Sequence, residues 1–286
     1  MEISKGKVAA GDIDIAYTAV GSGKPLIVVH GGPGIGPGYL RGLDAWADEF
    51  QVVYYDQRGC GETELGDPDK VSFKGHIDDL DAVRAGLGME KANLVGQSAG
   101  AHLAMLFAAH RAETTGSLVL LNSAPPLVPD LQDRLWANMA ARRTAEDDAE
   151  KQEIEGSAEF QARDPKTLER YYTNMYLPFF RDRNNTTDFD MGFTEITAAN
   201  VLQAWERTFS DIEELDPLGS LSQISCPTLV VHGEHDPVPE EWARFVVDNV
   251  RGCQYALLAG CNHFAHLEDP EVLANAVKPF LRNHVV

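Results

Sequence analysis

Residues 92–110, ANLVGQSAGAHLAMLFAAH, contain an apolar run that breaks at Gly96-Gln97-Ser98-Ala99-Gly100 and resumes in a helix-forming pattern. Leu94 and Val95 read as a buried parallel strand, and Ala99 to Ala109 as a helix with its small residues first. A serine at the turn between them needs a strained backbone and little bulk beside it, which the glycines two before and two after Ser98 provide. The turn lifts Ser98 clear of the sheet. A G-x-S-x-G match alone arises by chance, so the strand before it and the helix after it carry the reading of Ser98 as a nucleophile.

Upstream, Pro25-Leu26-Ile27-Val28-Val29 is apolar throughout, as a central strand covered on both faces is, and it runs into His30-Gly31-Gly32-Pro33-Gly34. A loop so poor in side chains can bring its N–H groups close to a reacting atom, which assigns Gly32 as one oxyanion donor and Ala99 as the other. His30 reads as a structural residue under that loop. Residues Lys7 to Ala19 alternate loosely, as a half-exposed antiparallel hairpin at a sheet edge does. Leu40 to Phe50 reads as a helix, Gln51 to Tyr55 as a buried strand ending in Asp56-Gln57-Arg58-Gly59-Cys60-Gly61, and His76 to Leu87 as an amphipathic helix. Downstream, Ser117 to Leu121, Pro227 to Val231 and Gln254 to Leu258 read as strands, with helices over Glu241 to Asn249 and Pro270 to Leu281. This alternation predicts an α/β fold built on a mostly parallel, doubly wound sheet. Between about Pro125 and Pro217 strands vanish and helix formers, charge and an aromatic cluster from Tyr171 to Phe180 take over. The expected division is a catalytic domain over residues 1–124 and 218–286, with a helical cap inserted over 125–217.

With 286 residues and 44% hydrophobic content, the chain can bury a core of that size. Its formal charge of −20, from 44 acidic and 24 basic residues, argues against nucleic acid or an anionic membrane as partner. The N-terminal segment lacks the apolar core of a secretory signal, and no apolar run approaches a membrane span, so a soluble, cytoplasmic protein is expected. Cys60, Cys226, Cys253 and Cys261 show neither C-x-x-C pairing nor disulfide-scaffold density and read as reduced thiols. Cys60, in a loop near the oxyanion loop, is the one expected to meet bulky thiol reagents.

A serine hydroxyl needs a neighbouring base, and the base needs a third group to orient it. Asp236 follows the penultimate strand and His263 the last, so both emerge with Ser98 at the carboxyl edge of one sheet. An acid could instead follow the strand after the nucleophile helix, but Leu121-Asn122-Ser123-Ala124-Pro125 offers no carboxylate there. His266 rivals His263; the latter is preferred because it directly follows the loop after the strand. His232, Glu234 and Asp236 alternate as a metal site might, yet a straight strand end does not gather ligands around one point, so no metal is expected.

His30-Gly31-Gly32-Pro33-Gly34, Asp56-Gln57-Arg58-Gly59-Cys60-Gly61 and Gly96-Gln97-Ser98-Ala99-Gly100, with Asp236 and His263, make the chain resemble an α/β-hydrolase of the proline iminopeptidase group. The resemblance implies hydrolysis of a small amide or ester, a short peptide or other small molecule, through an acyl-enzyme and with no cofactor. It implies Ser98 as nucleophile, His263 as base, Asp236 as its orienting acid, and a cap that chooses the substrate. Tyr176 and Trp205 are the expected pocket residues. Glu206 is the expected partner of a substrate α-ammonium, since an N-terminal exopeptidase must fix one. Peptidases of that group commonly carry an aromatic residue where this chain has Ala99, and a carboxylesterase or lactonase of the same fold is the alternative. A ligand-binding protein on a retired hydrolase fold would have no need of Ser98, Asp236 and His263 together.

Overall fold

The structure is a computed structural model that describes residues 2–123 and 128–286. Among them runs an eight-stranded sheet in the order β1-β2-β4-β3-β5-β6-β7-β8. The strands are β1 (Ile3–Ala10), β2 (Ile13–Val20), β3 (Lys24–Val29), β4 (Phe50–Tyr55), β5 (Ala92–Gln97), β6 (Thr115–Leu121), β7 (Thr228–Gly233) and β8 (Gln254–Leu258). β1 pairs antiparallel with β2, and β2 with β4; every other pairing is parallel. The edge hairpin and the doubly wound parallel core expected from the alternation are both present. β1 and β2 turn on Gly11 and Asp12, with φ +66° at Gly11 as a tight turn between twisted strands requires.

The helices are α1 (Phe73–Gly86), α2 (Ala99–His110), α3 (Pro129–Ala141), α4 (Ala145–Glu155), α5 (Ala158–Gln161), α6 (Pro165–Tyr176), α7 (Glu195–Thr208), α8 (Glu240–Asn249), α9 (Ala265–Glu268) and α10 (Pro270–His284). From α3 to α7 the described chain contains no strand. Parallel strands point alternate side chains into two cores. Along β3, Leu26 and Val28 join a cluster with Val277 and Leu281 of α10, whereas Ile27 and Val29 join one with Leu103 and Phe107 of α2. α2 is buried along its length from Gly100 to Ala109, which explains why it is apolar all round rather than amphipathic.

One element differs in kind from the expectation. The segment expected as an α-helix over Leu40 to Phe50 is a run of tight 3-10 turns over Pro37–Trp46, and Phe50 already belongs to β4. Its buried side chains include Leu40, Leu43 and Trp46, a spacing of three that matches three residues per turn. Gly42 fits there because a Cβ would collide with the His266 carbonyl oxygen.

Candidate active site

Ser98 stands between β5 and α2 with φ 54° and ψ −122°, a conformation that non-glycine residues rarely adopt and that costs on the order of 1–3 kcal/mol. Both flanking glycines are required by close approaches. A Cβ on Gly96 would lie 2.6 Å from the Gly100 carbonyl oxygen, and one on Gly100 would collide with the carbonyl oxygens of Val29 and His30. The elbow is pinned by the Ser98 N–H donating to Leu121 O at 3.0 Å. Ala99 opens α2, so its N–H belongs to the first turn, where no intrahelical acceptor exists.

The loop from His30 to Gly34 abuts this elbow: a Cβ on Gly31 would lie 2.9 Å from Ser98 Cβ and 3.1 Å from Ala99 N. Gly32 takes φ +59°. The motif from Asp56 to Gly61 forms the support behind the loop. The Gln57 N–H donates to His30 Nε2 at 3.2 Å and Gln57 Nε2 to His30 O at 2.8 Å, which places the His30 proton on Nδ1, 3.2 Å from Gly31 O. Arg58 is buried and pairs with Asp79 at 2.6 Å and with Asp12. Cys60 is fully buried, its thiol directed at Arg58 O and pushed well above its ordinary range by burial. The reagent sensitivity expected of Cys60 therefore does not follow, since a bulky reagent has no path to a thiol with no exposed surface.

On the opposite side, His263 Nδ1 lies 2.8 Å from Asp236 Oδ2, with the two side chains 1% and 0% exposed. Asp236 Oδ1 accepts from Val238 N at 2.9 Å, so both carboxylate oxygens are engaged. His263 Nε2 is buried without a hydrogen-bond partner among the described residues; the Ser98 hydroxyl does not bond it. His266 is buried as well, but its Nε2 donates to Tyr39 O at 3.2 Å, and burial lowers its pKa to about 3.

Two residues that the sequence did not single out hold this pair. Asn122 ends β6 with φ +47°, donates from Nδ2 to Asn262 O (2.9 Å) and His263 O (2.8 Å), and accepts from Gly233 N (3.1 Å). The chain segments bearing Asp236 and His263 are therefore joined through one amide. Arg142, at the end of α3, donates to His235 O (2.6 Å), Pro178 O (3.0 Å) and Asn262 Oδ1 (3.3 Å), linking the helical segment to both loops. A tolerance of Asn for positive φ was the available signal for the first; nothing local marks the second.

The remaining expected pocket residues separate. The Tyr176 hydroxyl lies against Gly32, 2.9 Å from where a Cβ there would stand, and makes no hydrogen bond among the described residues. Phe179 packs on His263 with ring centroids 4.4 Å apart. Phe180 and Phe189 instead belong to the core, 5.1 Å apart and buried. Trp205 and Glu206 lie on the outer face: Trp205 is 44% exposed, and Glu206 is exposed and makes no ion pair among the described residues. The buried stripe of α7 runs through Val201, Ala204 and Thr208, and Val201 and Ala204 press on Gly34. Positions one and two beyond Ala204 rotate by about 100° each, out to solvent.

Burial holds several histidines neutral. His30 is lowered to about 4, and His76, His102 and His266 to about 3, in each case first by desolvation. Their unfolded values lie near 6.5, so below that pH the unfolded chain takes up protons that the folded chain refuses, and stability falls as pH drops from about 6.5 toward 4. Each imidazole withdraws up to about 1.4 kcal/mol per pH unit in that window. The melting temperature is expected to fall by on the order of 10 °C between pH 7.5 and 5.5. In His102→Phe, which removes an imidazole with neither nitrogen bonded, the slope should be shallower. A flat profile in calorimetry would contradict this.

The chain belongs to the α/β hydrolase fold family, whose profile matches residues 24–270. It is 26% identical to a proline iminopeptidase of Lactobacillus helveticus (strain DPC 4571), over 99% of each chain. The crystal structure of a proline iminopeptidase from Mycobacterium smegmatis superposes with a TM-score of 0.69 at 23% identity, covering 98% of both chains. That of an enol-lactonase from Burkholderia xenovorans LB400 superposes with a TM-score of 0.65 at 20% identity, covering 97% of this chain and 100% of the other. These structural likenesses are of fold. The family resemblance and the fold class drawn from the motifs are borne out. Among the described residues no helix is long and apolar enough to cross a membrane.

Proposed function

We propose that this chain is a serine hydrolase that cleaves small amides or esters through an acyl-enzyme, with short peptides bearing an N-terminal proline as the first substrate class. The observation that carries the reading is the buried 2.8 Å contact between Asp236 and His263 Nδ1, which leaves Nε2 unbonded at the sheet edge where the Ser98 elbow ends. In this reading Ser98 Oγ attacks the substrate carbonyl and His263 Nε2 takes its proton. Asp236 fixes the tautomer and stabilises the imidazolium. The Gly32 and Ala99 N–H groups receive the oxyanion, and His263 returns the proton to the leaving group. Water then repeats the sequence on the acyl-enzyme. The prolyl preference comes from the L. helveticus relative, which aligns over 99% of each chain.

A second reading, a carboxylesterase or lactonase, is favoured by the carboxylates of the helical segment. An aminopeptidase must pair the substrate ammonium with a buried acid. Glu206 faces solvent, and Asp147 is already paired with Arg183. Glu169, half-buried with its pKa raised by burial, accepts from the N–H groups of Met191 (2.8 Å) and Phe193 (3.2 Å). Met191 O in turn accepts from Gly36 N at 2.6 Å, which ties Glu169 to the loop that continues from Gly32. Glu169 therefore replaces Glu206 as the amine anchor to test. If the peptidase reading holds, Glu169→Gln lowers kcat/KM for prolyl p-nitroanilide by roughly thirty-fold or more, the equivalent of about 2 kcal/mol at 1.4 kcal/mol per decade. It leaves hydrolysis of p-nitrophenyl acetate nearly unchanged, and Glu206→Gln changes neither. Equal losses on both substrates, or a wild type that cleaves only the ester, would make the chain an esterase or lactonase.

A further inference from the structure

The phenol of Tyr39 occupies a position that core packing alone does not explain. Its residue is 2% exposed within the 3-10 segment, eight residues after Gly31 and 58 before Gln97, and its hydroxyl spans the two candidate loops. The Gly31 N–H donates to Tyr39 Oη at 2.8 Å, and Tyr39 Oη donates to Gln97 Oε1 at 2.8 Å. Gly31 immediately precedes the oxyanion donor Gly32, and Gln97 immediately precedes Ser98. A phenol has one proton; with the Gly31 N–H donating to its oxygen, that proton is given to Gln97 Oε1, which fixes the orientation of the Gln97 amide. Gln97 Nε2 has no hydrogen-bond partner among the described residues, so the bond to Tyr39 is the one that orients this amide there. Tyr39 is itself held by its carbonyl, which accepts from His266, and by its ring, 6.0 Å from Phe264 beside the candidate base.

We infer that Tyr39 is a positioning residue for the reaction: its hydroxyl sets the distance between the Ser98 elbow and the Gly32 N–H, and so aligns nucleophile and oxyanion hole with each other. This rests on the serine-hydrolase reading above. A hole displaced by a fraction of an ångström still admits the planar substrate but no longer meets the tetrahedral oxyanion, so the loss falls on the chemical step and not on binding.

A fluorophosphonate reports this directly, because its adduct with serine is tetrahedral and places an oxygen in the hole. With the full chain, Tyr39→Phe is expected to lower kinact about ten- to hundred-fold while KI stays within about two-fold, and kcat for p-nitrophenyl acetate should fall with kinact while KM stays put. Gln97→Met, which keeps the volume and removes the acceptor, should give a similar drop and carries the test if Tyr39→Phe does not fold. The double variant should be no slower than the slower single, because both cut one bridge. A Tyr39→Phe protein whose kinact matches wild type, one whose loss lies in KI, or singles whose effects multiply in the double would each overturn the inference while Ser98 labelling in the wild type still stood. A wild type that is not labelled at Ser98 would remove the hydrolase reading itself, and this inference with it.

Discussion

Ser98→Ala and His263→Ala are each expected to lower turnover of any substrate by at least about a thousand-fold, with the loss in kcat. His266→Ala should keep activity within about ten-fold of wild type. The two histidines are three residues apart and both buried, but their bonding separates them. His263 has a carboxylate on Nδ1 and a free Nε2, the arrangement a general base needs. His266 spends its Nε2 on the Tyr39 carbonyl, so its removal orphans a buried acceptor at a cost of about 1–3 kcal/mol in stability rather than in chemistry. Melting curves of the three variants, run beside kinetics, separate the effects. An inactive but folded His266→Ala beside an active His263→Ala would reverse the assignment.

Asn122→Ala is expected to be the most damaging change outside the three candidate catalytic residues. It removes three buried hydrogen bonds, to Asn262 O, His263 O and Gly233 N, and puts alanine at φ +47°. The net cost is about 3 kcal/mol or more, since the partners stay buried without water to replace the amide. Because those partners lie on the segments carrying Asp236 and His263, activity should fall even below the melting transition. Asn122→Asp keeps the shape and the acceptor for Gly233 but turns a carboxylate oxygen on the Asn262 and His263 carbonyls, and should be about as damaging as alanine. A fully active, equally stable Asn122→Ala would show that the two loops hold their own conformation.

The legible part of this molecule is whatever repeats or punctuates locally. Strands β3, β5, β6 and β7 each carry a short apolar run (Leu26 to Val29, Leu94 and Val95, Leu118 to Leu121, Leu229 to Val231), and Gly96 and Gly100 announce a turn whose close backbone contacts the structure displays. Asp236 and His263 are marked only as polar residues after strands, and the bond between them joins positions 27 apart. The 3-10 segment was misread because apolar residues at 40, 43 and 46 fit a helical stripe as well as a three-residue period. In the sequence Asn122 is simply a polar residue after a strand, with no carboxylate to mark it. Its partners lie 140 and 141 residues away, a distance over which no periodicity carries. The exposure of Trp205 and Glu206 was hidden for a different reason: the stripe that decides which face of α7 is buried is made of small residues, Ala198, Val201, Ala204 and Thr208, and these are outweighed in sequence by a neighbouring tryptophan. Of the aromatic run from Tyr171 to Phe180, Phe179 and Phe180 are both buried in the core, with Tyr176 packed against it, and Tyr176 and Phe179 also lie against Gly32 and His263.

The most direct test of the central claim is the site of covalent capture by a fluorophosphonate, mapped by peptide mass spectrometry on the wild type and on His263→Ala. The account predicts a single adduct on Ser98 in the wild type, formed at least about a hundred-fold more slowly when His263 is gone, because the hydroxyl then has no base to take its proton. An adduct on another residue, or capture of Ser98 at an unchanged rate without His263, would contradict it.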